Sequence, residues 1–218
     1  GYNWFWFWDV GTSLNFTQSR SQFTWYCYWN FVKSCNDIIA VIGAEPATDE
    51  MKAYLAYAKA NRAALYLDMA RSFDPLENKY TNVSEVKGLT VPKITETTTE
   101  AEARNNPRLP REEMFEFIFQ DLDDAEALLT NNSHRGGKDV PSLAVVYGLK
   151  ARAYLWLGGF EEGLYDTTKY PDVLTGNAAY TKAAEYARKA ITASGCQPLS
   201  EAEYCDPISG FCKINNAW

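Results

Sequence analysis

The sequence predicts an all-α protein of packed helical hairpins with long irregular loop insertions. Three observations predict it. Five segments carry apolar residues at helical spacing, capping residues and glycine stops bracket those segments, and no segment alternates apolar and polar residues as a half-buried strand does.

The first helix is expected over about Thr24 to Ile42. Trp25, Tyr28, Trp29, Val32, Ile39 and Ile42 fall on one stripe, and Gly43 is a natural stop. The second is expected from about Asp49 to Phe73. Thr48 can cap it, Asp49 and Glu50 suit the positive end of its dipole, and Asp74-Pro75 ends it. Its expected core stripe is Met51, Tyr54, Leu55, Ala58, Leu65, Met69 and Phe73. From Glu77 to Asn106 the chain is rich in Thr, Glu and Asn and reads as an irregular crossing loop, with one apolar island at Leu89-Thr90-Val91-Pro92. A third helix is expected with Pro110 in its first turn, running to about Thr130 and burying Met114, Ile118, Leu122, Ala125 and Leu129. After a polar break at Asn131 to Asp139, a fourth runs from about Ser142 to Leu157 and stops at Gly158-Gly159. A fifth runs from about Ala178 to Ser194, with Asn177 as candidate cap and Gly195 as stop.

The fourth helix carries Ala151, Tyr154, Gly158 and Phe160, the order small, Tyr, small, aromatic that marks a tetratricopeptide repeat. Small residues let neighbouring helices approach, and the tyrosine fills the groove beside them. Ala183, Ala187 and Ala190 continue the pattern, and Ala63, Tyr66 and Ala70 repeat its first half on the second helix. The two matches lie much further apart than the ~34 residues of a simple repeat. The fold class is therefore degenerate tetratricopeptide-like hairpins separated by insertions. The 218 residues read as a single domain, with an aromatic segment over 1–23 and repeat helices over about 24–73, 110–130, 142–158 and 178–195.

Composition excludes several functions. Net charge is −7 and no basic stripe runs along any segment, which argues against a nucleic-acid partner. No apolar run reaches the ~18 residues of a membrane span. Gly1 to Val10 is aromatic and lacks the basic start and small-residue cleavage site of a signal peptide. The five cysteines form no Cys-x-x-Cys pair and His134 is the one histidine, so neither a zinc site nor any cofactor is expected. Cys27 and Cys35, eight residues apart on one helix, are separated by roughly 12 Å along its axis and cannot form a disulfide, which tolerates about 7 Å. Cys205 and Cys212 flank a turn-like Asp206-Pro207-Ile208-Ser209-Gly210 and could pair, or all five could pack as free thiols.

No catalytic constellation is found. Asp121, Asp123, Asp124 and Glu126 form an acidic run read as a solvated helix face, and carboxylates on one helix lack the cleft geometry of a catalytic pair. His134 reads as a surface loop residue, and Arg135-Gly136-Gly137-Lys138 is too short for a phosphate loop and follows no strand. Asn36 and Arg62 each fall on the apolar stripe of their helix. Buried polar groups need partners, so both are expected in a structural hydrogen-bond network, with Arg62 held by a carboxylate or backbone carbonyls.

Several segments in order resemble SusD/RagB-like nutrient-binding proteins. The early helix resembles the family's at Trp29, Val32, Asn36 and Ile39. So do Asn61-Arg62-Ala63-Ala64-Leu65-Tyr66-Leu67 running into Phe73-Asp74-Pro75-Leu76, and the loop entry Gly88-Leu89-Thr90-Val91-Pro92. Arg108-Leu109-Pro110-Arg111 with Ile118-Phe119-Gln120-Asp121-Leu122, then Leu149-Lys150-Ala151-Arg152-Ala153-Tyr154-Leu155, continue the series, and Asp206-Pro207, Gly210-Phe211 and Asn215-Asn216-Ala217-Trp218 close it. The chain departs from the family in length, since members are commonly more than twice as long, and in lacking the lipoprotein cysteine at its start. It is expected to be the helical part of a larger protein, with the later half of the family absent.

The resemblance implies a non-catalytic protein at the extracellular face of the outer membrane, attached only through a lipid anchor that this chain does not contain. It implies an oligosaccharide ligand, or in some members a peptide, and a TonB-dependent SusC-like transporter as partner. A tetratricopeptide scaffold binding a protein or peptide without glycan is the alternative. Sugars bind on aromatic faces with amides and hydroxyls reading their hydroxyl groups. Trp4, Trp6 and Trp8 in the first ten residues, with Trp25, Trp29 and Asn30 on the first helix, are the carbohydrate-binding candidates. Packing in the core is the competing role for Trp25 and Trp29.

Overall fold

A computed structural model describes residues 19–197 and 199–206, and with them seven helices. These are α1 Ser19–Ile42, α2 Asp49–Phe73, α3 Glu100–Arg104, α4 Arg111–Leu129, α5 Leu143–Leu157, α6 Gly176–Ser194 and α7 Glu201–Cys205. Among the described residues no strand forms, and Leu89 and Pro110 make an isolated antiparallel bridge. The chain is all-α as its periodicity predicts.

Local chemistry sets the ends. Gly43, at φ 75, closes α1 by donating its N–H to Ile39 O at 2.9 Å. Thr48 caps α2, its hydroxyl accepting from the Met51 N–H at 3.1 Å, and Asp74 ends it by donating to Ala70 O. Pro110 stands one position before α4 rather than inside its first turn. Its missing N–H costs nothing there, because the first helical donors have no intrahelical acceptor. α6 begins earlier than expected, after Thr175 and not after Asn177. Gly176 adopts φ 61, a left-handed conformation that lets the chain turn into the helix. The Thr175 hydroxyl is occupied by the Leu164 N–H at 3.2 Å and so caps nothing, while the Asn177 amide reaches Glu162.

The crossing loop is more ordered than its composition suggests. Thr99 and Glu102 form a reciprocal capping box that starts α3. The apolar island pairs with the segment before α4: Thr90 N–H donates to Leu109 O at 2.8 Å, and Leu109 N–H to Val91 O at 3.1 Å. Arg108 draws this pair onto α2 by donating to the carbonyls of Thr90, Leu89 and Phe73.

α2 is the centre of the fold, packing against α1, α4 and α5, while α5 and α6 form a hairpin. Ala53, Ala56, Ala60, Ala63 and Ala70 are all buried and allow this close approach. Because α2 is covered from several sides, its buried surface is not one stripe. Tyr57, Leu67 and the alanines are buried, whereas Met51 and Tyr54, expected in the core, are exposed near its N-terminus. Tyr154 fills the repeat groove, stacked on Phe119 with ring centroids 4.4 Å apart and on Tyr186 at 5.8 Å. A smaller cluster of Ile39, Leu55 and Ala58 seals the α1–α2 end.

Candidate functional site

The site grows from one buried arginine. Arg62 lies on α2 with 3% of its surface exposed. Its Nε and Nη2 donate to Oδ2 and Oδ1 of Asp121 on α4, at 2.7 and 2.8 Å. Its Nη1 donates to Asn36 Oδ1 on α1 at 2.7 Å and to Glu96 Oε2 of the crossing loop at 2.6 Å. A buried guanidinium must fill its donors, and here it does so by tying three helices and the loop together. The Phe117 ring lies 5.1 Å from the Arg62 Cζ.

The loop is held by a second set of bonds. The Tyr66 hydroxyl donates to Ile94 O at 2.9 Å and accepts from the Ile94 N–H at 2.8 Å, satisfying both backbone groups of that residue. Asn36 Nδ2 also donates to Ile94 O, at 3.1 Å. Burial pushes the Tyr66 hydroxyl well above its ordinary range, so it stays protonated. The segment from Ile94 to Thr98 therefore stands as a wall opposite α1. Between them runs a groove of about 350 Å³, with Trp29, Lys33, Asn36 and Asp37 on the helix side and Thr95, Glu96 and Thr98 on the loop side. It offers one aromatic ring beside hydroxyls, carboxylates and an ammonium group, while the Asn36 amide is taken up by Arg62 and Ile94.

The carbohydrate candidates separate in space. Trp29 lines the groove, its ring meeting Tyr66 edge-on at 6.2 Å. Trp25 lies outside the groove lining, one turn away, packed edge-on against Trp29 at 5.3 Å and Phe73 at 5.1 Å and still 38% exposed. Asn30 is exposed but spends its amide on its own helix, donating to Tyr26 O at 2.8 Å. Trp4, Trp6 and Trp8 lie outside the described residues, as does Cys212. Asn36 and Arg62 meet directly, and Asn36 also lines the groove.

Asp121 and Glu96 are the partners that sequence reasoning did not find. The acidic run is a solvated face only in part, since Asp123 is exposed and Asp124 and Glu126 are half-buried but each is paired. Asp121 is 1% exposed under Arg62, Asp124 pairs with Lys59, and Asp123 and Glu126 both bind the buried Lys150 ammonium. Burial, countered by Arg62, pushes the Cys35 thiol up to about 11, which leaves no thiolate nucleophile at neutral pH. His134 sits in a surface loop with its ring 5.6 Å from Tyr54. Among the described residues no group of His, Cys, Asp or Glu is arranged to hold a metal, and no helix is long and apolar enough to cross a membrane.

No family model matches the sequence, and no curated protein matches it. Solved structures do. A SusD-like carbohydrate-binding protein from Bacteroides vulgatus ATCC 8482 is similar over 83% of this chain and 33% of its own, at 21% identity and a TM-score of 0.59. A SusD superfamily protein from Bacteroides thetaiotaomicron VPI-5482 is similar over 84% of this chain and 35% of its own, at 19% identity and a TM-score of 0.57. A third crystal structure, solved with xylogluco-oligosaccharide, is similar over 82% and 31% of the two chains, at 21% identity and a TM-score of 0.52. The chain thus spans about a third of the length of the structures it matches. Its fold, over that third, is the fold of SusD-like proteins.

Proposed function

We propose that this chain binds glycan without catalysis, as part of a SusD-like nutrient-binding protein. The observation that carries the reading is the groove between α1 and the crossing loop. It sets the half-buried Trp29 ring beside the hydroxyls of Thr95 and Thr98, on a wall that the fully bonded Asn36 amide holds in place. A sugar needs both an apolar surface for its C–H face and polar groups for its hydroxyls. The likeness to a SusD-like carbohydrate-binding protein and to a structure holding xylogluco-oligosaccharide points the same way. A place on the outer surface of the outer membrane, through a lipid anchor, and a TonB-dependent SusC-like partner belong to the same reading. The chain spans about a third of the length of the structures it resembles, so contacts from the rest of a SusD-like protein would complete the site and this chain alone binds weakly.

The test is calorimetric titration of the chain with neutral oligosaccharides, xylogluco-oligosaccharide included. Trp29→Ala is expected to lower affinity by about fivefold, the loss of one ring surface worth roughly 1 kcal/mol. Asn30→Ala is expected to leave it unchanged, since that amide is already satisfied by its helix. Equal affinity in the wild type and Trp29→Ala would remove this groove from the reading.

A further inference from the structure

α1 carries more apolar surface than the fold buries. Its inner face, with Tyr28, Val32, Cys35, Ile39 and Ile42, packs toward α2. A second series, Phe23, Cys27, Phe31, Ser34, Ile38 and Val41, recurs at steps of three and four and forms one continuous stripe beside it. Among the described residues this stripe stays largely uncovered. Phe23 is 68% exposed, Phe31 60%, Ile38 46% and Val41 86%. The Ser34 hydroxyl within it donates to Asn30 O of the same helix at 3.0 Å, so its proton is already used.

The stripe is not the solvated side of the helix. That role belongs to a third face, where Gln22, Asn30, Lys33 and Asp37 are exposed and Lys33 pairs with Asp37. A surface helix has one apolar face, whereas α1 is apolar over two adjoining ones, as a helix covered from two sides is. Single exposed apolar residues need no partner, but a row of four along one helix does. Its dimensions select the occupant. α1 has 24 residues and so spans about 36 Å, and a stripe roughly 10 Å wide along it offers on the order of 360 Å². A separate protein or a second copy needs about 800 Å² on each side for a stable interface, and the paired ionic face beside the stripe adds little to bury. A membrane surface calls for a cationic polar face, and Asp37 neutralises Lys33. A helix of the same polypeptide carries no association cost and fits a stripe of this width. This chain spans about a third of the SusD-like structures it resembles, which leaves ample polypeptide in such a protein to supply one.

We propose that the outer stripe of α1 is a packing face for a further helix of the longer SusD-like protein to which this chain belongs, laid along α1 with its apolar side on Phe31 and Ile38. The proposal rests on that part of the reading above which makes this chain a portion of such a protein, and not on glycan binding.

The test is hydroxyl-radical footprinting, read by mass spectrometry, on the 218-residue chain and on the full-length SusD-like protein that contains it. The expected result is strong labelling of Phe23, Phe31, Ile38 and Val41 in the chain and near-complete loss of that labelling in the full-length protein. Acetylation of Lys33 is expected to be equal in the two, because its face stays in water. Phe31→Ser combined with Val41→Ser should lower the unfolding temperature of the full-length protein and leave that of the chain unchanged. Equal labelling of the stripe in both proteins would overturn the proposal. So would protection already present in the chain at every concentration, which would assign the cover to its own residues outside 19–206. Protection that grows with the concentration of the chain would overturn it too, in favour of a second copy. No sugar enters the experiment, so failure of the Trp29 groove in titration leaves the stripe standing, and equal labelling here leaves the groove standing.

Discussion

Arg62 and Asp121 face each other across the α2–α4 interface through two parallel hydrogen bonds of 2.7 and 2.8 Å, with both side chains almost fully buried. Such a pair is costly to break from one side, because the survivor keeps its charge without its partner. Asp121→Ala is expected to lower stability by about 3–5 kcal/mol in urea unfolding at neutral pH. Arg62→Met combined with Asp121→Leu should recover only part of that loss, since the apolar pair removes the stranded guanidinium but leaves Asn36 Oδ1 and the Glu96 carboxylate without their Arg62 donor. A single-variant loss below about 1 kcal/mol would mean that water reaches the pair and that it behaves as a surface bridge.

Tyr66 substitutes for a neighbouring strand by bonding both backbone groups of Ile94. Tyr66→Phe keeps the ring in the core but strips the Ile94 N–H of its acceptor; Asn36 still serves the carbonyl. The expected cost is about 1–3 kcal/mol, the price of leaving a buried donor unsatisfied. Amide exchange should quicken over 94–98 and stay slow in α4. Uniform acceleration would show global destabilisation instead of a loosened loop wall.

Glu96 makes that wall sensitive to acid. Burial alone would raise its carboxyl, but the hydrogen bond from Arg62, aided by its own backbone N–H and by Coulomb attraction, holds it below the usual range. Its folded pKa therefore lies under the unfolded value of about 4.3. The stabilisation is fully present above that value and is lost as pH falls through the lower, folded one. Part of the carboxylate faces water, so screening keeps the effect below about 1 kcal/mol. Thermal unfolding from pH 7 down to 3 should show Glu96→Gln losing less stability on acidification than the wild type. Parallel acid limbs for the two proteins would rule out this carboxylate as a contributor.

How far the sequence reveals these relationships depends on their range. The helices were legible because periodicity, Thr48, Ser142 and the glycine stops act within a few residues. The short α3 was legible in principle too, since Thr99 and Glu102 have capping-box spacing, but the surrounding Thr and Glu obscured it. Arg62 could be read as needing a carboxylate because it interrupts an apolar stripe. Which carboxylate could not be read, because Asp121 lies 59 positions away inside a run that looks solvated, and only the packing of α2 on α4 turns it inward. The groove was half legible. Trp29 stood out, whereas Glu96, Thr95 and Thr98 belong to a polar loop whose position depends on Tyr66 and Arg62. The start of α6 was misread because Gly176 enters the helix from a left-handed conformation, which no apolar period records.

Gly158 tests whether the repeat signature reflects packing. It ends α5 where Tyr180 of α6 comes closest, and a Cβ added there would stand 2.5 Å from Tyr180 Cε1 and 2.9 Å from its Cγ. Real Cβ contacts do not fall so short, and the clash reaches the root of the ring, so rotating the tip does not relieve it. The backbone conformation at Gly158 is right-handed helical, which alanine accepts, so any cost comes from crowding and not from a forbidden φ. Gly158→Ala is expected to destabilise the chain by about 1–3 kcal/mol, the range for an overpacked interface. The larger Gly158→Val should cost more. Because Tyr180 is 44% exposed, removing its ring forfeits little core packing. Gly158→Ala with Tyr180→Ala should therefore be more stable than the sum of the two single variants predicts. A double-mutant cycle by chemical unfolding measures that coupling. Simple additivity would show that the small residue in the signature reflects helix termination at Gly158-Gly159 and not the approach of α6.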